Sequence, residues 1–162
     1  MREILFRAKR IDDEEWVEGF YTQLPKPSLG ATIIANGDLC AEDVGDYIIM
    51  NRSKQHSNFS NAYTLEIIEC EYYEINPETL CQYTGLTDKN GKRIWENDIV
   101  RIENVRIENS MDEGIGNIEF YGGMWYVDGE PSNSLHDIVE YDDGELEVIG
   151  NIFDTPELLK GE

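Results

Sequence analysis

Short apolar runs separated by turn residues most constrain the fold of this 162-residue chain. The pattern is clearest in the second half, where strand-forming residues alternate with Gly, Asn and Asp. The runs are Lys92–Trp95, Ile99–Ile102, Gly116–Phe120, Met124–Val127 and Leu146–Ile152, with Tyr121–Gly122–Gly123 as a tight hairpin turn and Pro156–Leu159 as a closing helical turn. This spacing predicts a small, partly open β-barrel.

The first half predicts a hairpin followed by a less regular stretch. Ile4, Phe6 and Ala8 alternate with mostly polar residues, which is typical of a half-buried strand. After an acidic turn, Trp16–Tyr21 is rich in aromatic and β-branched residues, so residues 3–21 predict a hairpin. Residues 22–62 predict only two short strands, Thr32–Ile34 and Tyr47–Met50, and an exposed loop at Asn51–Asn61. Tyr63–Ile75 then predicts one long strand.

A short helix over residues 77–84 is predicted between the two halves. Asn76 has the chemistry of an N-cap, Pro77 suits the first turn, and Glu78 faces the positive helix end. Gly85 is the expected stop. We therefore expect an N-terminal β unit at 1–76, with an irregular insertion at 22–62, and a C-terminal unit at 77–162.

The charge is strongly acidic and unevenly placed. Lys and Arg number 13 against 34 Asp and Glu, a net charge of −21. Residues 107–162 hold 15 acids and one base, Lys160, so 1 − 15 = −14 of that charge lies there. Nucleic-acid binding depends on cations that neutralise phosphates, so it is disfavoured. A solubilising surface is the simpler reading, and imitation of nucleic acid toward a basic protein is the alternative.

Cysteine usage and hydropathy point to a cytoplasmic protein. Cys40, Cys70 and Cys81 have no zinc, redox or disulfide spacing and are expected to be free thiols. The chain has no apolar run long enough to span a membrane, and its first residues do not resemble a signal peptide. Trp16, Trp95 and Trp125 lie in strand-like segments, so they are expected in the core or at an interface.

Catalytic and metal-binding patterns are missing or weak. The sequence lacks the glycine-rich motifs that bind phosphate or dinucleotides, the His-Glu-x-x-His motif of zinc proteases and the Gly-x-Ser-x-Gly motif of serine hydrolases. We therefore expect no enzyme activity and no cofactor. Asp88–Gly91 has the wrong spacing for a calcium loop and predicts a turn. The acids Asp137, Glu140, Asp142, Asp143 and Glu145 could hold a hard cation, but in a chain this acidic such clusters arise by chance. His136 and Asp137 are not expected to face each other if they lie in a strand.

Three segments of the sequence carry a family resemblance. They are Arg2–Lys9 with Trp16–Gly19, the long central run Asn76–Val100, and Leu146–Phe153 with Pro156–Leu158. Together they resemble the YopX family of bacteriophage and prophage proteins. The resemblance implies a phage or prophage origin, a mainly β fold with a barrel-like C-terminal unit, and self-association. It implies no activity. The family usually has Gly where Cys81 and Asn97 stand here.

Within these segments, residues of unknown role carry the family signature. They are Pro77, Glu78, Thr79, Gln82, Tyr83, Thr84, Gly85, Asp88, Gly91, Trp95, Glu96, Asp98, Gly150 and Asn151. No catalytic, cofactor or metal residue can be assigned among them.

Taken together, the sequence predicts a mainly β chain with minor helix, in which an N-terminal hairpin unit precedes a short helix and a small SH3-like, partly open barrel. The leading functional hypothesis is a non-enzymatic protein–protein interaction or self-assembling module, a homo-oligomer in the bacterial host cytoplasm with a possible host or phage protein partner. The alternatives are an acidic nucleic-acid mimic that binds a basic protein, and an enzyme with an unrecognised carboxylate site.

Overall fold

The computed structural model describes residues 4–25, 44–59, 63–107, 110–129, 133–140 and 145–160. The predicted mainly β character is confirmed: antiparallel strands dominate these residues and form no closed barrel among them. The SH3-like arrangement stays a prediction. The chain divides into a first unit, Leu5–Leu80, and a second unit, Met1–Ile4 with Cys81–Glu162.

The described residues of the first unit form four antiparallel strands in the order β4-β3-β2-β1. Their bounds are β1 (Phe6–Lys9), β2 (Trp16–Pro25), β3 (Val44–Phe59) and β4 (Tyr63–Glu74). β1 and β2 form the predicted hairpin, in which Phe6 lies opposite Gly19 and Lys9 opposite Trp16. Fully buried Ala8, Ile48 and Ile75 form the core of this unit.

The predicted loop at Asn51–Asn61 is wrong as far as Phe59. The backbone there continues as β3 and pairs with β4 from Tyr47 opposite Glu74 to Phe59 opposite Tyr63. Pairing with the long neighbouring strand overrides the low strand propensity of a polar segment. The predicted strand at Thr32–Ile34 lies outside the described residues.

The predicted helix at 77–84 is reduced to one 3-10 turn, η1 (Pro77–Thr79). Its start is as expected, because the Asn76 side chain accepts a hydrogen bond from the Glu78 backbone N–H. Its end is not at Gly85: Leu80 is already extended, with φ −68° and ψ 121°, and the chain enters a strand at Cys81. Strand pairing therefore replaces the second half of the helix.

The second unit contains the β5–β6 hairpin and a five-stranded antiparallel sheet in the order β10-β9-β8-β7-β11. Its elements are β5 (Cys81–Thr87), β6 (Arg93–Trp95), β7 (Asp98–Ile107), β8 (Ser110–Tyr121), β9 (Met124–Gly129), β10 (Asn133–Ser134), helix α1 (Leu135–Glu140), β11 (Glu145–Asn151) and the 3-10 turn η2 (Pro156–Lys160). The predicted strands all appear; β5, β10 and α1 were not predicted.

One hydrophobic cluster holds the second unit together. It contains Ile94, Val100, Ile102, Ile118, Val127, Leu135, Ile138, Leu146 and Val148, with Leu86 and Trp125 packed against it. Burial of this many aliphatic side chains supplies the main favourable free energy of folding. Within the described ranges, no helix has both the length and the apolar character needed to cross a membrane.

Candidate functional site

Asp88 connects a tight turn to a distant strand. Its Oδ1 accepts hydrogen bonds from the backbone N–H groups of Asn90 at 2.8 Å and Lys92 at 2.9 Å. Its Oδ2 accepts from the N–H of Val148 in β11 at 3.1 Å. Burial raises the pKa of this carboxyl, but the three N–H donors and the Lys92 charge outweigh burial, so the pKa lies below its ordinary value. Gly91, with φ +80°, closes the turn.

The next signature residues fix the β5–β6 hairpin. The Asp98 carboxylate, 1% exposed, accepts from the Trp95 backbone N–H at 2.9 Å. The buried Thr84 hydroxyl donates to the Ile94 carbonyl at 2.8 Å, and the Tyr83 ring packs on the Trp95 indole with centroids 5.3 Å apart. Each of these contacts holds the backbone or the core in place.

Gln82 and Glu96 also pair along this hairpin. The Glu96 N–H donates to the Gln82 carbonyl at 2.9 Å, and the Gln82 N–H donates to a Glu96 carboxylate oxygen at 3.3 Å. Gly85 has φ +91°, a left-handed conformation that glycine adopts without strain. It lies within β5, where the register with β6 shifts between the pairs Tyr83–Trp95 and Thr87–Arg93.

Thr79 joins η1 to β1 inside the first unit. Its hydroxyl accepts from the Lys9 backbone N–H at 2.9 Å and donates to the Asn76 carbonyl at 2.8 Å. Pro77 and Glu78 form the turn itself. The signature residues of this turn are thus used in local folding contacts.

Gly150 and Asn151 build the C-terminal corner. A Cβ at Gly150 would collide with the Thr155 hydroxyl and approach Leu158, so only glycine fits there without movement. The Asn151 side chain accepts from the N–H groups of Phe153 at 3.0 Å and Asp154 at 2.9 Å. The signature residues therefore form turns, caps and core contacts, and the structure does not bring them together around one pocket.

The two departures from the usual family pattern touch each other. The Asn97 side-chain amide donates to the Cys81 sulfur at 3.6 Å, and Asn97 has φ +64°. Asn tolerates this left-handed conformation better than most residues, so it can replace the usual Gly at this position. Cys81 is buried and begins β5, although it falls within the helix predicted over residues 77–84.

The other candidate residues from the sequence do not form a site in the described part of the chain. No group of three or more His, Cys, Asp or Glu is placed there to hold a metal ion. His136 and Asp137 lie in α1 rather than in a strand, and their Nδ1 and Oδ1 atoms are 3.7 Å apart on an exposed surface. Asp142, Asp143 and Cys40 lie outside the described residues. Trp95 is buried as expected.

An apolar row crosses three strands on the outer side of the first unit. Phe20 on β2 lies opposite Ile49 on β3, which lies opposite Tyr72 on β4. Direct cross-strand partners project from the same face of a sheet. Phe20 is 48% exposed and Tyr72 57% exposed. We call this row with its flanking residues the β2–β4 face.

Charged residues lie at two diagonally opposite corners of this face. On the β1 side, the Arg7 guanidinium lies 4.7 Å and the Lys9 ammonium 5.6 Å from the Trp16 ring, in cation–π geometry. On the β4 side, Glu74 lies two residues beyond Tyr72 on the same face and directly opposite Tyr47 of β3. Glu18, which is exposed and lies opposite Arg7, is at the same corner as the two cations, so that corner has a net charge of 2 − 1 = +1. The β2–β4 face thus carries a net positive charge at one corner, the acid Glu74 at the opposite corner and aromatic surface between them.

A second exposed surface lies on the β8–β9 hairpin of the second unit. Six consecutive pairs, from Gly116 opposite Gly129 to Tyr121 opposite Met124, fix its register. Ile118 and Val127 point into the core, so the alternating residues face outward. Apart from the buried Asn117, these residues are Glu119, Tyr121, Met124, Tyr126 and Asp128, which we call the hairpin face. Tyr121 is 77% exposed and Met124 50% exposed.

Comparison with known proteins gives the family. The model of the YopX protein family matches residues 5–160, which is nearly the full chain. The chain belongs to the YopX family. A search of curated proteins found no significant match.

One solved structure resembles this YopX-family chain. It is the crystal structure of protein EF1440 from Enterococcus faecalis, with a TM-score of 0.51 and 23% sequence identity, over 98% of this chain and 99% of that one. At this identity the similarity describes the fold alone. Neither exposed face was predicted from the sequence as a site. The β2–β4 face depends on the register of three strands, whereas alternation on both sides of the Gly122–Gly123 turn could have revealed the hairpin face.

Proposed function

We propose that this YopX-family chain is a non-enzymatic protein-interaction module of phage or prophage origin that self-associates through the β2–β4 face in the host cytoplasm. The observation that carries the proposal is the row Phe20, Ile49 and Tyr72. Soluble proteins rarely leave large apolar side chains adjacent on a regular sheet face unless another surface covers them. The small SH3-like barrel remains part of the proposal for the C-terminal unit.

A second copy is the occupant that the charges of this face favour. Arg7 and Lys9 lie at one corner and Glu74 at the diagonally opposite corner, with the apolar row between. Closed dimers use the same patch on both copies, related by a two-fold axis. A two-fold axis that lies in the interface plane, perpendicular to the diagonal between these corners, exchanges the two corners. Such an axis can place Arg7 and Lys9 of each copy over Glu74 of the other. The face is therefore complementary to itself in both charge and apolar character.

Sedimentation of aromatic-truncated variants tests this proposal. Phe20→Ser combined with Tyr72→Ser removes the exposed rings from the β2–β4 face. Truncation of a central aromatic costs about 2 kcal/mol or more at an interface, so self-association should weaken at least about a hundredfold. Tyr121→Ser with Met124→Ser is the matched control, because it removes exposed apolar surface from the hairpin face and should leave the oligomer intact. A wild-type chain that sediments as a monomer at high concentration would refute self-association.

An acidic module that occupies the nucleic-acid site of a basic protein is the second candidate. It is supported by the net charge of −14 over residues 107–162 and by the acids of the hairpin face. A complex of this kind should dissociate as salt is added, because charge pairs at an exposed surface are screened. Recovery of a DNA- or RNA-binding protein that resists salt would contradict it.

A further inference from the structure

The hairpin face contains an open cavity. It has a volume of about 320 Å³ and is lined by Glu119, Tyr121, Tyr126 and Asp128. Glu119 and Tyr126 are direct cross-strand partners, while Tyr121 and Asp128 lie two residues further along their own strands. Two carboxylates and two phenol rings therefore line one concave surface.

Among the described residues, no cation forms an ion pair with the carboxylates of this cavity. Residues 107–159 contain no Lys or Arg. Glu119 accepts a hydrogen bond from the neutral Asn117 amide at 3.0 Å. Across the part of the chain that the structure describes, neither Glu119 nor Asp128 takes part in an ion pair. The two carboxylates thus keep their charge available to a ligand.

We propose that this cavity binds the cationic side chain of a Lys- or Arg-containing segment of a partner protein. Carboxylates accept charge-assisted hydrogen bonds from ammonium and guanidinium groups, and Arg can pair with them in a bidentate manner. Tyrosine rings attract the same cations through their π-electrons and cover the apolar stem that carries the charge. The combination of acids and rings matches a basic side chain better than it matches a metal ion, which needs several oxygen ligands and no ring.

The strands below the cavity hold these groups in place before a ligand arrives. Ile118 and Val127 are fully buried in the core on the opposite side of the hairpin. At the tip, the Phe120 and Trp125 rings meet edge to face with centroids 4.8 Å apart. A preorganised surface loses little conformational entropy on binding, so even a small cavity can be selective. This inference rests on the proposed protein-interaction role and names a partner class for a surface other than the β2–β4 face.

Fluorescence anisotropy with a labelled arginine–glycine repeat peptide tests the proposal on the full chain. Glu119→Gln with Asp128→Asn removes both charges, and Tyr121→Leu with Tyr126→Leu removes both rings. Each pair should weaken binding by about tenfold or more. Glu15→Gln with Glu113→Gln is the matched control: both acids are exposed, the charge change is the same, and binding should change by no more than about twofold.

Two results would overturn the proposal. One is no binding of the peptide by the wild-type chain at low salt. The other is equal weakening by the control pair, which would mean that general acidity attracts the peptide. Sedimentation of the same variants separates this inference from the proposed function, because substitutions in the cavity should leave self-association unchanged.

Discussion

Replacement of Asp88 by Ala should destabilise the second unit strongly, although Asp88 lies far along the sequence from β11. The substitution removes both oxygens that accept from Asn90, Lys92 and Val148. The first two N–H groups belong to exposed residues of a turn, so water can replace their acceptor at a cost of about 0.5 kcal/mol each. The Val148 N–H is in a buried hydrogen bond, and leaving it unpaired costs about 2 kcal/mol. The expected loss is about 3 kcal/mol.

Asp88→Asn separates the turn contacts from the contact with β11. The remaining oxygen can still accept from the two turn N–H groups. The new NH₂ group faces the Val148 N–H, and because both groups are donors, the hydrogen bond to β11 is lost. We expect a loss of about 2 kcal/mol. Because the Asp88 pKa is lowered in the folded chain, its stabilising effect is complete above the ordinary carboxyl value of about 4 and is lost as the pH falls below it toward the folded-state pKa. Asp88→Asn should remove this part of the acid sensitivity.

Urea unfolding followed by tryptophan fluorescence measures these effects. A Trp16→Phe background restricts the signal to Trp95 and Trp125, which both lie in the second unit. Glu113→Ala is the control, since Glu113 is exposed in β8 and should change stability by about 0.5 kcal/mol or less. If Asp88→Ala costs no more than this control, the structural role assigned to Asp88 is refuted.

Two further predictions follow from the described contacts. Because Asn97 donates to Cys81, a double-mutant cycle of Cys81→Gly and Asn97→Gly should show a coupling of about 0.5 kcal/mol or more in thermal unfolding; strict additivity would contradict the contact. In the first unit, the Tyr21 hydroxyl donates to the Asp46 carboxylate, and this bond raises the Tyr21 pKa. Its stabilisation should therefore be complete below the ordinary value of about 10 and be lost as the pH rises through the higher folded-state pKa. Tyr21→Phe should abolish that alkaline loss of stability. If the variant and the wild-type chain lose the same free energy of unfolding between about pH 9 and 12, the assignment is contradicted.

The elements that the sequence predicted well are those set by local chemistry. The β8–β9 hairpin turns at Gly122 and Gly123, which have φ of +60° and +90°, because glycine adopts this backbone without strain. The Asn76 cap of η1 is equally local. By contrast, the polar half of β3 and the strand β5 form because partner strands distant in sequence are available, and no local pattern reveals those partners.

The candidate surfaces divide in the same way. Alternation on both sides of the Gly122–Gly123 turn is enough to place Glu119 beside Tyr126, so the hairpin face was in principle readable from the sequence. The row of Phe20, Ile49 and Tyr72 was not readable, because its members come from three strands whose register is set by tertiary packing. The signature residues stood out in the sequence, yet only the structure reveals that their contacts serve the fold.

Light scattering of the purified wild-type chain at low and high salt tests the central claim of self-association most directly. An interface centred on Phe20, Ile49 and Tyr72 is mainly apolar, and salt also screens the mutual repulsion of two chains with a charge of −21. We therefore expect a discrete oligomer that persists or strengthens at high salt. A monomer under both conditions, or an oligomer that dissociates as salt is added, would contradict it.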